Sequence, residues 1–273
     1  MADKAGYNMA AGILRSAWGY RGFISGSIKR EFQLRYRNSL LGAAWTVLNP
    51  LAMIVVYTVI FSQVMKTRLP GVDSHFAYSI YLCSGLLTWG LFAEIVGRAQ
   101  NVFIDHGNLL KKISFPRICL PAIVVLNAGL NFAIIFGLFV LFLLLSDSFP
   151  GLPFVAMIPV LAVQILFSIG LGMIVGVLNV FFRDVGQFFG VLLQFWFWFT
   201  PIVYPIAILP PAIMPYIRLN PMVPVITAYQ DILAHGVWPD WGSLAYPALV
   251  GVLLCILGVR LFRKRSGEIV DEL

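Results

Sequence analysis

Residues 28–61 read IKREFQLRYRNSLLGAAWTVLNPLAMIVVYTVIF, and the two halves of this segment differ in kind. Between positions 29 and 37 stand four basic residues, Lys29, Arg30, Arg35 and Arg37, with one acid, Glu31. From 39 to 65 there is no charged residue. About 20 apolar residues suffice to cross a bilayer, so this run spans one with some tilt. The charge step sets its sense. Basic residues stay in the cytoplasm, and the helix leaves toward the far side.

The rest of the chain follows from that orientation. It has 273 residues, 60% of them hydrophobic and 11% charged. A soluble domain carries about 25% charged residues, so this is a polytopic membrane protein. The three cysteines, Cys83, Cys119 and Cys255, sit inside apolar runs without ligand-like spacing and read as buried thiols. Residues 1–20 lack the continuous apolar core of a secretory signal, which leaves the first span as the insertion signal.

Ile24, Ile28 and Phe32 recur at helical spacing, with Lys29, Gln33 and Arg37 turned away. A moderately amphipathic helix on the cytoplasmic leaflet fits, its basic side chains near lipid phosphates. Glu31 and Arg35 are spaced for an i, i+4 pair close to the apolar side. Six spans are expected, near 39–65, 76–96, 118–145, 154–182, 185–204 and 244–262. Pro50 interrupts the first and should bend it. Gly172 and Gly176 in the fourth suit close helix packing. Residues 98–116 read as too polar to span. Residues 205–241 are apolar but carry seven prolines, which points to short re-entrant helices packed against protein. The fold class is thus an all-α membrane protein in one domain over 1–273, with 1–38 and 263–273 cytoplasmic.

Sixteen Lys and Arg fall on the proposed cytoplasmic side against three, Lys66, Arg68 and Arg218, on the other. That bias places both termini inside, and it assigns the +7 net charge to membrane topology rather than to nucleic acid. No internal repeat of the kind that builds many secondary transporters is evident.

Catalytic chemistry is poorly supplied. His75, His106 and His235 fall in three separate segments, and no Cys/His cluster occurs. Ionisable groups are nearly absent from the spans, with Glu94 near the inner end of the second, which argues against a proton- or sodium-coupled carrier. There is no phosphate-binding glycine loop, so any ATPase must be another subunit. Segment 98–116 mixes apolar residues with Asp105, His106, Asn108, Lys111 and Lys112. It fits an interfacial helix that snorkels its lysines, or a helix seated in a groove on a partner.

Trp45, Asn49, Met53, Tyr57 and Phe61 recur every four residues in the first span. Gln187, Gln194 and Trp198 do so approximately in the fifth, and Trp89 adds a ring in the second. Two environments fit this spacing. One is lipid-facing bulk with an interfacial aromatic belt. The other is an aromatic-lined path, on which sugar rings stack while Tyr, Gln and Asn bond their hydroxyls. Trp45, Asn49, Tyr57, Trp89, Gln194 and Trp198 are the candidate channel-lining residues.

Six segments in order resemble one family: KREFQLRYRNSLLGAAWTVLNPL (29–51), IYLCSGLLTWGLF (80–92), NLLKKISFPRICLP (108–121), NVFFRDVGQ (179–187), FTPIVYP (199–205) and Asn220-Pro221. Each is weak alone, and together they resemble the membrane permease subunit of polysaccharide-exporting ABC transporters of the ABC-2 type. That group serves O-antigen, capsule and teichoic acid export. The resemblance implies a homodimer docked on two separately encoded nucleotide-binding ATPase subunits, which hold ATP and magnesium while this chain binds no cofactor. It implies a cytoplasmic interface helix over 24–36, and coupling to the ATPase through Asp105, His106, Asn108, Leu109, Leu110, Lys111 and Lys112. The cargo implied is a polysaccharide on a polyprenyl diphosphate lipid, most simply O-antigen, moving between two protomers with spans 1 and 5 at a lateral opening. Lys29, Arg30, Arg35 and Arg37 would attract the diphosphate at the inner leaflet. The alternatives are an ABC exporter of drugs or small lipids and, more remotely, a membrane glycosyl- or phosphotransferase acting on a lipid carrier. The transferase would need acidic or histidine pairs facing one cavity.

Overall fold

A computed structural model describes residues 20–35, 41–60, 76–107 and 119–272, and among these only helices and turns occur. Helix α1 (Arg21–Arg35) precedes α2 (Trp45–Thr58), which a short 3-10 turn introduces. Then come α3 (Ala77–Asp105), α4 (Cys119–Leu145), α5 (Met157–Phe181) and α6 (Asp184–Trp198). The proline-rich connection folds into short pieces, chiefly α7 (Met214–Arg218) and α8 (Met222–Gln230). Helices α9 (Trp241–Arg265) and α10 (Glu268–Glu272) close the chain.

Four helical segments are long and apolar enough to cross a membrane: Ala77–Asp105, Cys119–Leu145, Leu152–Phe181 and Trp241–Arg265. Helix α2 is a shorter apolar helix, and the expected remainder of its span at 61–65 lies outside the described residues. Its Pro50 stands inside a helix that continues past it. The fifth expected span stops earlier than 204, because α6 ends at Trp198. Bends follow it, and Pro201 supplies the break.

Helix α3 runs on past 98, where the segment expected to be too polar to span begins. It is continuous to Asp105, about 43 Å of helix at 1.5 Å per residue. Two facts permit this. Arg98 is neutralised by carboxylates on both sides. Val102 and Phe103 are buried, the latter stacked on Phe262 at 5.3 Å.

The centre of the molecule is α5, held between α3 and α9. Small residues set that spacing, as the Gly172/Gly176 pair led one to expect. A Cβ at Gly176 would stand 2.4 Å from the Ala99 carbonyl oxygen, and one at Gly170 would stand 2.7 Å from the Cys255 amide nitrogen. The terminal tail is also part of the bundle. Ile269 is fully buried, and the Arg265 guanidinium lies 5.8 Å from the Phe181 ring centre. Cys83 and Cys119 are buried and free, as expected, while Cys255 is half-buried and donates to the Leu166 carbonyl.

Candidate functional site

The stripe Trp45, Asn49, Met53, Tyr57 faces a groove between α2, α3 and α4. Its volume is about 550 Å³, and α3 and α4 contribute Cys83, Leu86, Gly90, Glu94, Asn131 and Phe132. Successive spans run antiparallel. Tyr57 and Ile54 accordingly pack in the same apolar cluster as Cys83 and Ile80, at one end of the groove. Trp45, Asn49, Glu94 and Asn131 occupy the other end, which is therefore its polar foot.

Trp89, Gln194 and Trp198 lie elsewhere. They border a shallower cavity of about 410 Å³ between α3 and α6, with Ala93, Leu193 and Phe197. Trp89 is buried, 5.0 Å from Phe92 and 5.8 Å from Phe197 between ring centres. Trp198 is 63% exposed. The six channel-lining candidates thus divide between two faces of α3 and do not form one wall within a single chain.

At the end of the bundle that carries α1, a charged network joins three helices. Arg98 on α3 donates through Nε to the Glu94 carboxylate at 2.9 Å and through Nη1 to Glu31 of α1. Asn131 of α4 donates to the other Glu94 oxygen at 2.7 Å, and Asn127 of α4 donates to Glu31. The sequence spacing offered Arg35 as the partner of Glu31. The Arg35 side chain lies outside the described residues, and Glu31, on the side of α1 that carries Ile24 and Ile28, accepts from Arg98 at one oxygen and from Asn127 at the other. This network is the feature that sequence reasoning missed. Its signals were present as two i, i+4 pairs, Glu94/Arg98 and Asn127/Asn131.

A cavity of about 340 Å³ adjoins the network, lined by Phe23, Arg30, Arg98, Asp105, His106 and Asn127 among others. Lys29 and Arg30 are exposed on α1, and Asp105 is exposed at the end of α3. The His106 ring approaches the Val102 carbonyl at 3.0 Å. The Arg35 side chain, Arg37, Asn108, Leu109, Leu110, Lys111 and Lys112 lie outside the described residues.

Three side-chain amides, those of Gln164 and Asn179 buried and that of Asn220 half-buried, anchor the connections. Gln164 donates to the Thr88 carbonyl at 2.6 Å and accepts from the fully buried Tyr229 hydroxyl at 2.6 Å, which pins α8 to α3 and α5. Asn179 donates to the Gln100 carbonyl at 2.9 Å and accepts from the Gly186 amide at 2.8 Å, closing the turn between α5 and α6. Asn220 accepts from the Trp196 indole at 2.8 Å and from the Met222 amide at 3.0 Å, and donates to the Thr200 hydroxyl at 2.9 Å. Among the described residues no group of His, Cys, Asp or Glu is arranged to hold a metal ion.

A family model described as ABC-2 type transporter matches residues 24–234. The chain belongs to the ABC-2 type transporter family. It is 32% identical over 263 residues to a Myxococcus xanthus protein named O-antigen export system permease protein RfbA, covering 96% of this chain and 99% of that one. A Klebsiella pneumoniae protein of the same name is 31% identical over 246 residues, at 89% and 92% coverage. The Escherichia coli polysialic acid transport protein KpsM is 22% identical over 247 residues, at 89% and 93% coverage. In this ABC-2 chain the matched span runs from α1 through the proline-rich connection, so it includes the groove, the charged network and all three amide anchors.

Proposed function

We propose that this chain is the permease subunit of an ATP-driven exporter that moves a polyprenyl-diphosphate-linked polysaccharide, O-antigen in the first instance, across the bacterial inner membrane. The observation that carries the proposal is the end-to-end match to permeases named for O-antigen export. Two copies form the translocation path between them, each with six spans and both termini in the cytoplasm. Two ATPase subunits dock beneath.

Lys29, Arg30, Arg35 and Arg37 collect the diphosphate at the inner leaflet, where exposed cations interact with phosphate oxygens. Arg98 takes no part, since two carboxylates engage it. Asp105, His106, Asn108, Leu109, Leu110, Lys111 and Lys112 receive the stroke of the ATPase. Helix α3 supports this role, because one unbroken helix joins Asp105 to Trp89 and the cavity it shares with α6. The glycan advances past Trp89, Gln194 and Trp198, which hold sugar faces and hydroxyls without fixing one register.

The test is assembly followed by transport. Co-expressed with its ATPase partner and weighed by native mass spectrometry, the complex should hold two copies of each chain. Neutralising Arg35 and Arg37 together should lower export and leave that mass unchanged. A stable permease that does not bind a folded partner would overturn the proposal.

A further inference from the structure

The groove between α2, α3 and α4 has walls and a foot of opposite chemistry. Met53, Ile54, Leu86, Leu87, Phe132 and Ile135 make its walls apolar. Cys83 to Glu94 on α3 covers about 16 Å of its length, enough for much of an acyl chain. The foot presents acceptors. Each Glu94 oxygen accepts one bond, from Arg98 or from Asn131, and keeps lone pairs beyond it. Asn131 spends its amide hydrogens toward Glu94, so its carbonyl oxygen remains an acceptor. Asn49 is exposed and makes no hydrogen bond among the described residues.

Among the described residues the charge at the foot has one net sign. Arg98 is shared by Glu94 and Glu31, so two carboxylates meet one guanidinium. Among the described residues no Lys or Arg lines the groove. Arg30 and Asp105 line the neighbouring cavity, and their charges offset. A phosphate or diphosphate at the foot would face an uncompensated carboxylate. A quaternary ammonium would find acceptors and have no hydrogen to give them. A primary ammonium has a positive charge and three donors.

We propose that this groove binds one ethanolamine phospholipid per chain, its ammonium at Glu94, Asn131 and Asn49 and an acyl chain along the α2–α3–α4 wall. The site is separate from the one proposed for the exported lipid, and it stands whether or not the cargo is a polysaccharide. The opening at Gly90 agrees with an outside ligand: a Cβ built there meets nothing within 4 Å, although the residue lies mid-helix and lines the groove.

The test uses the full-length chain, purified and mixed with ethanolamine, choline and glycerol phospholipids of identical acyl chains. Bound lipid is counted by native mass spectrometry. One ethanolamine lipid per chain should be retained, at least about ten-fold over the other two, the ratio that one charge-assisted hydrogen bond supports. Gly90→Phe, which fills open space, should remove that lipid while helical content by circular dichroism is kept. Glu94→Gln should level the three headgroups. If Glu94→Gln fails to fold, because Arg98 loses a partner, Asn49→Leu carries the comparison and should narrow the preference. Equal retention of the three lipids by the unaltered chain would overturn the proposal. So would a preference for the glycerol lipid, or an ethanolamine lipid that survives Gly90→Phe.

Discussion

Asn220 shows what a single side chain contributes at the proline-rich connection. Its oxygen accepts from the Trp196 indole and the Met222 amide, and its nitrogen donates to Thr200. Asn220→Ala leaves these partners to find water in an apolar setting, at a cost of about 1–3 kcal/mol. The expected outcome is a lower melting temperature in detergent, with the change concentrated in Trp fluorescence. Asp231 offers a test by pH. Burial pushes its carboxyl above the ordinary value, His235 at 3.5 Å pulls it back and Asp240 adds to the rise. The folded state therefore holds this proton more firmly than the unfolded chain does. The group favours folding below its unfolded value, and that contribution is lost as pH rises through the folded value. Asp231→Asn should melt higher than the unaltered chain at about pH 8, and the advantage should vanish toward about pH 4. Melting curves at the two pH values decide it.

Between elements, close approach and charge sharing fix the arrangement. Gly176→Leu would drive a side chain into the Ala99 carbonyl and force α5 away from α3, an overpacking cost of about 1–3 kcal/mol or more. Gly97→Ala on the adjoining helix meets nothing within 4 Å and should be neutral or gain about 0.5–1 kcal/mol. Yield of folded chain and melting temperature separate the two. The Glu31–Arg98–Glu94 network tests how α1 is held. Its side chains are 42%, 29% and 21% exposed, so screening reduces its worth below the about 3–5 kcal/mol of a fully buried pair. Arg98→Gln should still release α1, seen as faster proteolysis within 21–35, whereas Lys29→Gln should leave the rate unchanged. The pairing was partly legible. Glu94/Arg98 and Asn127/Asn131 each show helical spacing, but nothing along the chain states that Glu31, separated from Arg98 by the whole of α2, completes the set.

Across the described residues, apolar side chains are exposed on several helices, among them Phe188, Phe195 and Trp198 on α6, Val47, Leu48 and Val55 on α2, and Leu249, Leu253 and Leu257 on α9. Lipid or a second copy must meet them. Under the proposed function, Trp198→Ala and Gln194→Ala should slow export without lowering the melting temperature, since neither side chain is buried in the chain's own core. Export and melting, measured on the same preparation, check this. Hydropathy and the placement of Lys and Arg were enough to establish a helical membrane protein, the approximate bounds of its long helices and the close packing at Gly172 and Gly176. These are local properties: a run of uncharged residues, or a pair of glycines one turn apart, carries its meaning in place. Three-dimensional packing settled what depends on distant partners. It extended α3 through Arg98, because carboxylates from α1 and α3 neutralise that residue. It ended α6 at Trp198, where the connection refolds under Asn220. It sent Trp45 and Trp89 to different faces of α3, since helical spacing defines a stripe but not the neighbour the stripe will meet.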